Sequence, residues 1–259
     1  MNTLGAGYRE VPAGWLLQDG PALFRQVRAF GRAAGTDETA VATSLLCQAW
    51  AVAVTREAIA SLVGARRVPD LASSNAVLLF NDDGRPAGVT LVSPRYAAVA
   101  GDDEAADDPL AEIVADDDAL FAWTQRRLFD GHLAPLVEAL HGLAPVGRRL
   151  LWGNVAAATA GGFAALSARP DLPFDPDHLL LEAPRLLDRP GSPTDGLVEL
   201  FPVPHGDGTR LFVRRQTCCL RYRLPDAPPT CLSCRLLPER ERRRRIGLRL
   251  TAEAEAETG

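Results

Sequence analysis

The pattern of apolar residues predicts that most of the chain is helical. Apolar side chains recur every three or four positions, which places them on one face of a helix. The segments with this spacing are 21–32, 109–143, 145–168 and 175–187, together with a longer and more apolar segment that ends near Val63. Thr36 or Asp37 is expected to cap the start of that long helix, and Gly64 is expected to end it.

Two further segments have the pattern of β-hairpins. Residues 75–92 contain two apolar runs that flank an Asp-Asp-Gly turn, in which Asp-Gly supplies the positive φ angle of a tight turn. Residues 197–201 and 210–215 form a second pair of strand-like runs, joined by a turn that contains His205. The polar and acidic residues 95–108 are expected to form a solvated loop.

These elements predict an α+β protein, with a mostly helical body that includes a β-hairpin and a small C-terminal module of β-strands and cysteines. We place the body at residues 1–195 and the C-terminal module at residues 196–250. Pro238 is expected to open an arginine-rich helix within that module. The Ala- and Glu-rich residues 251–259 are predicted to be a disordered tail.

The composition is ordinary for a soluble globular protein, with 47% hydrophobic and 24% charged residues. The formal net charge of −5 argues against general binding to nucleic acid, which needs a basic surface. The N-terminus lacks the features of a secretory signal, and no run of about 18 apolar residues could span a membrane. We therefore expect a cytoplasmic protein, in a compartment that keeps thiols reduced.

Four of the five cysteines lie close together near the C-terminus. Cys218 and Cys219 are adjacent, eleven residues follow, and Cys231 and Cys234 have C-x-x-C spacing. In a reducing compartment such clusters are typical of metal sites rather than disulfides. The spacing leaves open a tetrahedral zinc ion and a 2Fe-2S cluster. Neighbouring residues of an extended strand point to opposite faces, so a turn or bulge must bring the adjacent sulfurs together.

The remaining candidates for metal chemistry are less specific. Residues 210–249 contain twelve arginines, and those near the cysteines could stabilise an anionic metal centre or could simply be solvated. Cys47 lies in an apolar helix and is predicted to be a buried core thiol. The four histidines have no metal-binding spacing, although the turn that carries His205 could lie near the cysteines.

The segment 217–225, followed by Cys231-Leu232-Ser233-Cys234, resembles the C-terminal signature of the FhuF-like ferric-siderophore reductase family. The predicted helical segment 151–156 is similar to a segment upstream in those proteins. In that family the two cysteine pairs bind a 2Fe-2S cluster, so the resemblance implies that Cys218, Cys219, Cys231 and Cys234 are cluster ligands. The eleven residues between the pairs are one more than in the family pattern.

The resemblance implies a cytoplasmic oxidoreductase that reduces ferric iron held by a siderophore, with hydroxamate siderophores as the expected type. Since no G-x-G-x-x-G fingerprint follows a strand, a separate donor such as a ferredoxin or flavoprotein would supply the electron. Trp152, Asn154, Arg215 and His205 are the candidates for contacts with the siderophore. No residue beyond the cluster ligands is expected to be catalytic.

Two alternatives remain open from the sequence. One is a zinc-stabilised four-cysteine interaction module, in which the metal only folds the C-terminus. The other is an iron–sulfur accessory or sensor protein of siderophore metabolism.

Overall fold

A computed structural model describes residues 7–169, 174–206, 208–225 and 230–258. The α+β class predicted from the sequence is confirmed, because helices dominate and small sheets accompany them. The helices are α1 (Ala13–Gln18), α2 (Gly20–Ala33), α3 (Thr39–Ala65), α4 (Asp103–Ala106), α5 (Asp117–Thr124), a π-helical segment (Gln125–Leu133), α6 (Ala134–Leu143), α7 (Arg148–Leu166), α8 (Pro176–Leu187) and α9 (Glu239–Thr258). The strands are β1 (Arg9–Pro12), β2 (Arg67–Pro69), β3 (Ala76–Phe80), β4 (Pro86–Leu91), β5 (Tyr96–Val99), β6 (Ala111–Val114), β7 (Val198–His205) and β8 (Gly208–Arg215).

Helix α3 is the centre of the protein. Its apolar and small residues occur on all sides, so it is buried around most of its circumference rather than along one stripe. It packs most extensively against α7. At their contact Gly162 allows a close approach, because a Cβ at that position would lie 3.2 Å from Ile59.

The ends of α3 differ from the prediction. Glu38 occupies the N-cap position without a side-chain cap, so neither Thr36 nor Asp37 caps the helix. Thr36 Oγ1 instead accepts a hydrogen bond of 3.1 Å from the Glu38 amide. The helix continues past Gly64, and it ends only where Arg66 adopts a left-handed backbone conformation with a φ of 50°.

Length and composition alone would allow α3 to cross a membrane. However, 67% of its most apolar window is buried inside the protein. The central helix of a soluble fold has the same properties. No other helix in the described part of the chain is long and apolar enough to span a membrane.

Two three-stranded sheets belong to the body. The predicted hairpin is confirmed as β3 and β4, which pair antiparallel around Gly84 with its φ of 68°. Strand β1 adds to the other side of β3. In the second sheet β5 pairs antiparallel with β2 and parallel with β6.

Residues 95–108, which the sequence predicts to be a solvated loop, contain regular secondary structure instead. They contain β5 and α4, and β6 lies in a stretch that the sequence predicts to be helical. Arg67 of β2 donates two hydrogen bonds of 2.6 Å to Asp102, and Tyr96 of β5 donates one of 2.9 Å to Asp108. These acids are therefore specific partners that fix the small sheet, which is why the segment is ordered.

The second predicted hairpin is present as β7 and β8, and its two faces pack on different neighbours. Leu211 belongs to the main core, together with residues of α7. Its neighbour Phe212 packs against Ile246 and Leu250 of α9 in a smaller apolar cluster. The hairpin therefore lies between the helical body and α9, and the predicted C-terminal module shares its inner face with the core of the body.

Helix α9 continues through most of the segment that the sequence predicts to be a disordered tail. It runs to Thr258, because Ala and Glu are strong helix formers. Arg249 also donates a hydrogen bond of 2.7 Å to Glu253, one helical turn further on.

Candidate metal centre

The first cysteine pair follows strand β8 and is held by α3 and α7. Thr217 packs against α7 at Gly153, where a Cβ would lie 1.8 Å from Thr217 Oγ1. Only glycine allows this approach. Cys218 and Cys219 lie outside regular secondary structure, and Ser44 of α3 donates a hydrogen bond of 2.8 Å to the Cys219 carbonyl.

A turn after the adjacent cysteines provides the change of direction that the sequence requires. Leu220 has a left-handed φ of 63°, which costs a non-glycine residue roughly 1 kcal/mol or more. Its amide donates a hydrogen bond of 3.4 Å to Cys218 Sγ. The amide of Arg221 in turn donates to the Cys219 thiol. The backbone thus presents positive dipoles to both sulfurs.

The C-x-x-C pair forms a tight turn beside the end of β8. The Cys234 amide donates a hydrogen bond of 3.0 Å to the Cys231 carbonyl. The Arg215 amide donates one of 2.9 Å to the carbonyl of Ser233, so the last residue of β8 is tied to the turn. Cys231 Sγ lies 3.6 Å from Ser233 Oγ.

Arg242 of α9 holds this turn in place. Its guanidinium is 1% exposed and donates hydrogen bonds to three backbone carbonyls, those of Leu232 at 2.6 Å, Cys234 at 2.9 Å and Leu237 at 3.1 Å. The turn contributes acceptors that would otherwise be buried without partners. Arg242 is therefore a structural residue of the cysteine site.

The two cysteine pairs are in contact. Cys219 and Cys231 are close enough to affect each other: their interaction raises the pKa of Cys219 and, together with Ser233 and Arg215, lowers the pKa of Cys231. Burial raises the pKa of Cys234, and the negative charge of nearby Cys231 and Cys218 raises it further. Thiols from both loops therefore share one electrostatic environment.

Arg215 supplies the positive charge of the site. Its side chain is 1% exposed, and its guanidinium donates hydrogen bonds to Gln48 Oε1 at 3.1 Å and to Asn154 Oδ1. Within the described residues no carboxylate forms an ion pair with it, and its Nε has no hydrogen-bond partner. Its charge opposes the rise in the pKa of Cys219 and contributes to the lowered pKa of Cys231. An uncompensated buried cation is costly, so thiolates are its natural counter-charge.

The donor set fits an anionic metal–sulfur centre. Four soft sulfur ligands, a buried guanidinium and backbone amides aimed at the sulfurs are what such a centre needs. No three Cys, His, Asp or Glu side chains of the described chain surround one point as the ligands of a single ion would. Two pairs of thiolates can hold one tetrahedral zinc ion or the two irons of a 2Fe-2S cluster. Residues 226–229, with the extra residue of the loop between the pairs, lie outside the described residues.

Residues 44–191 match the family described as "Ferric iron reductase FhuF-like transporter". The match covers more than half of the chain. The chain belongs to this FhuF-like family. The matched residues include the α3 and α7 positions that hold the first cysteine pair, whereas the cysteines themselves lie after the match. The family description supports an oxidoreductase that acts on ferric iron.

Other comparisons add little to this assignment. No curated protein matches the FhuF-like chain. Among solved structures it is similar to the aerobactin synthetase IucC from a hypervirulent pathotype of Klebsiella pneumoniae, with 15% sequence identity and a TM-score of 0.47. The similarity covers 63% of this chain, which spans 30% of the synthetase.

The structure places two of the predicted siderophore contacts inside the FhuF-like protein. Asn154 is fully buried, with Nδ2 donating to the Ser44 carbonyl at 2.8 Å and to Ser44 Oγ at 3.0 Å, and Oδ1 accepting from Arg215. Trp152 is also buried, at 8% exposure, and belongs to the main core. Asn154 therefore joins α3, α7 and β8, and its side chain is bound by protein groups rather than exposed for contact with a siderophore.

The other two predicted contacts are far apart. Arg215 lies at the cysteines, but it is buried and faces protein groups. His205 pairs with Gly208 at the opposite end of the hairpin. Arg215 is seven residue steps from Gly208 along the strand, so His205 lies about 23 Å from the cysteine end, at about 3.3 Å per step. The expectation that its turn approaches the cysteines is therefore wrong.

Cys47 behaves as predicted. It is fully buried in α3, 3.7 Å from the Leu151 carbonyl, and burial raises its pKa to about 12. Ser44, Gly153, Thr217 and Arg242 are the site residues that sequence reasoning missed. Gly153 had a usable signal, because a glycine inside a helix is typical of a close contact.

Proposed function

We propose that the protein is a cytoplasmic ferric-siderophore reductase, in which Cys218, Cys219, Cys231 and Cys234 hold a 2Fe-2S cluster. The observation that carries the proposal is that both cysteine loops are tied to Arg215, a buried cation without a described carboxylate partner. Its amide binds the Ser233 carbonyl of the C-x-x-C turn, and its guanidinium binds Asn154, which in turn binds the Ser44 that holds the Cys219 carbonyl. Membership of the FhuF-like family supports the same activity. We further propose that residues 1–195 form the siderophore-binding body and residues 196–250 the cluster-holding module.

The cluster would supply a reservoir for one electron at a time. In the net reaction a donor loses one electron, and the ferric ion of the siderophore gains it and becomes ferrous. Hydroxamate oxygens are hard ligands that hold ferric iron tightly and ferrous iron far more weakly. Reduction therefore releases the metal without breaking any bond of the siderophore.

The residues around the cysteines have separate tasks in this scheme. Arg215 places a positive charge in a region of low dielectric, which favours thiolate ligands and the more negative, reduced state. Ser44 and Asn154 fix the first cysteine loop against α3 and α7. Arg242 fixes the C-x-x-C turn against α9. Both cysteine loops are thus fixed in place. This suits electron transfer, which is fast when the site changes little in structure.

The electron donor is a separate protein in this proposal, such as a ferredoxin or a flavoprotein. The sequence has no nicotinamide or flavin fingerprint of the G-x-G-x-x-G type. A zinc-stabilised four-cysteine module is the alternative, since four thiolates are also the ligands of a structural zinc ion. An iron–sulfur sensor or accessory protein would use the same cysteines without turnover.

The decisive experiment combines spectroscopy with a single turnover. Protein purified without oxygen should be red-brown, with equal amounts of iron and sulfide. A colourless protein with one zinc ion per chain would instead identify the interaction module. The chemically reduced protein should then regain its oxidised spectrum when a ferric hydroxamate is added, while a ferrous chelator captures the released metal. A reduced spectrum that persists would exclude the reductase and leave the sensor.

A further inference from the structure

A groove lies beside the first cysteine pair. Its walls are α2, α3, the turn between β3 and β4, and the residues that follow Leu220. Its volume of about 390 Å³ is within the range of small-molecule sites. Phe30, Leu45, Val52 and Leu224 give it an apolar lining.

The groove and the cysteine site share a wall. Gln48 of α3 lines the groove, and its Oε1 accepts the hydrogen bond of 3.1 Å from Arg215. Ser44, one helical turn earlier, binds the Cys219 carbonyl. Arg221 also lines the groove, two residues after Cys219. The groove is therefore joined to the cysteine site through Gln48 and Arg215, and through Arg221 of the first cysteine loop.

The charges of the groove are unbalanced. Two arginines, Arg85 and Arg221, line it against one acid, Asp83. Among the described residues, neither arginine side chain has an ion pair or a hydrogen-bond partner. Arg223, two residues after Arg221, does not line the groove and pairs with Glu38.

A second groove lies next to Cys231, and the arginines that line it are already paired. It lies between α7, β8 and α9. Its arginines already have partners, since Arg249 binds Glu253 at 2.7 Å and Arg210 donates to the Ser167 carbonyl at 2.6 Å. Charge complementarity therefore favours the first groove as the site for an anionic ligand.

We propose that the groove between Arg85 and Arg221 binds the ferric siderophore, and that these two arginines select chelates that carry negative charge, such as hydroxamates with a free carboxylate. The inference rests on the proposed function and adds the substrate class to it. A guanidinium forms charge-assisted hydrogen bonds with a carboxylate, and partial enclosure in the groove strengthens them relative to open solvent.

Binding can be tested without electron transfer by the use of gallium(III), which has the charge and size of ferric iron but is not reduced. The probes are gallium complexes of N-succinyl and N-acetyl desferrioxamine B, which share one chelating backbone and are anionic and neutral, respectively. Titration calorimetry with the intact protein should show the anionic complex binding about tenfold more tightly than the neutral one.

Four variants locate the effect. Arg85→Gln and Arg221→Gln should each weaken the anionic complex about three- to tenfold and leave the neutral complex within about twofold. Arg223→Gln removes the same charge from the same segment outside the groove, and it should change neither complex. Ala34→Trp should fill the groove and weaken both complexes, because Ala34 is part of its lining.

Each result bears on one hypothesis. Equal affinity of the wild-type protein for the two complexes, or retention of the preference in the Arg85→Gln/Arg221→Gln double variant, would overturn the inference. Loss of the preference in Arg223→Gln to the same degree would do so as well. None of these results affects the proposed reductase activity, which fails separately if the reduced protein is not reoxidised by any ferric hydroxamate.

Discussion

Gly153 and Thr217 are in such close contact that a Cβ on Gly153 would lie 1.8 Å from Thr217 Oγ1. The contact joins the middle of α7 to the residue immediately before the first cysteine pair. A side chain at this position of the helix would displace the loop that carries two of the proposed ligands.

We therefore expect Gly153→Ala to reduce cluster occupancy and to destabilise the protein by about 1–3 kcal/mol through overpacking. The measurements are visible absorbance per chain and urea denaturation. Gly161→Ala on the same helix is the matched control, because a Cβ there meets nothing within 4 Å. That substitution should stabilise the protein by up to about 1 kcal/mol and keep full colour. Normal occupancy in Gly153→Ala would show that the contact is not needed.

Replacement of single cysteines tests the ligand set. Cys231→Ser should lose or severely destabilise the cluster, since a serine oxygen is a poor substitute for a thiolate ligand. Cys47→Ser should keep the visible spectrum, because Cys47 is buried in α3 and held neutral by its raised pKa. Iron and sulfide content per chain would be compared for the two variants. An unchanged cluster in Cys231→Ser would remove this residue from the ligand set.

The charge of Arg215 should set the reduction potential of the centre. Arg215→Gln removes a buried positive charge next to Cys219 and Cys231, so the reduced state loses stabilisation. We expect the potential to fall by about 60 mV or more, which corresponds to about 1.4 kcal/mol for one electron. Arg215→Lys should retain most of the potential.

Spectroelectrochemical titration would measure the effect. Arg243→Gln provides the control, because the Arg243 side chain is 80% exposed on α9 and its charge is screened by water. A fall of the same size in both variants would show that net charge matters and the position of Arg215 does not.

Arg242 should be far more important for stability than its neighbours in the arginine run. Arg242→Met keeps the apolar stem but leaves the carbonyls of Leu232, Cys234 and Leu237 without their donor, at a cost of about 1–3 kcal/mol or more. Arg243→Met, one position along the same helix, should cost less than about 0.5 kcal/mol. Denaturation midpoints and the rate of cluster loss on warming would separate them, and equal effects would contradict the proposed clamp.

His132 should make the protein sensitive to acid. The ring is buried in the π-helical segment, where Trp50 Nε1 donates to its Nε2 at 2.8 Å and its Nδ1 faces the Leu71 carbonyl at 2.7 Å. Burial lowers its pKa from 6.5 to about 4. Above pH 6.5 both states are neutral; below it the unfolded chain binds a proton that the folded protein excludes. Stability should therefore fall as the pH drops from 6.5 towards 4, with a slope of up to about 1.4 kcal/mol per pH unit.

Denaturation by urea at a series of pH values would test this. His132→Gln keeps an acceptor for Trp50 but cannot titrate, so the slope should decrease by about one proton. An identical slope in wild type and variant would assign the acid sensitivity to other groups.

Local patterns were sufficient for much of the fold. The long apolar run of α3 and the Asp-Gly turn at Gly84 are strong local signals, and both predictions hold. Strands β5 and β6 were missed because each is four residues long and lies in acidic sequence. Their order depends on distant partners such as the Arg67–Asp102 pair, which no local pattern reveals.

In the candidate site, too, local sequence revealed some features and tertiary packing determined the rest. The cysteine spacing identified the proposed ligands, whereas the roles of Asn154 and His205 depend on packing and strand direction. Asn154 was a candidate for contact with the siderophore, but three elements converge on it. Arg242 looked like part of an exposed charge run. Its spacing of four from Ile246, and of eight from Leu250, marks the buried face of α9 and could have revealed it.

The hydrogen bonds of Arg242 to the C-x-x-C turn also affect when the cysteine site can form during synthesis. When synthesis has passed the adjacent cysteine pair, the helical body and β8 can already hold that pair, but the C-x-x-C turn has no support until α9 has emerged and folded. In the proposed scheme the irons would thus enter only after α9 has folded against the turn, and chains in which α9 is not yet folded should carry none.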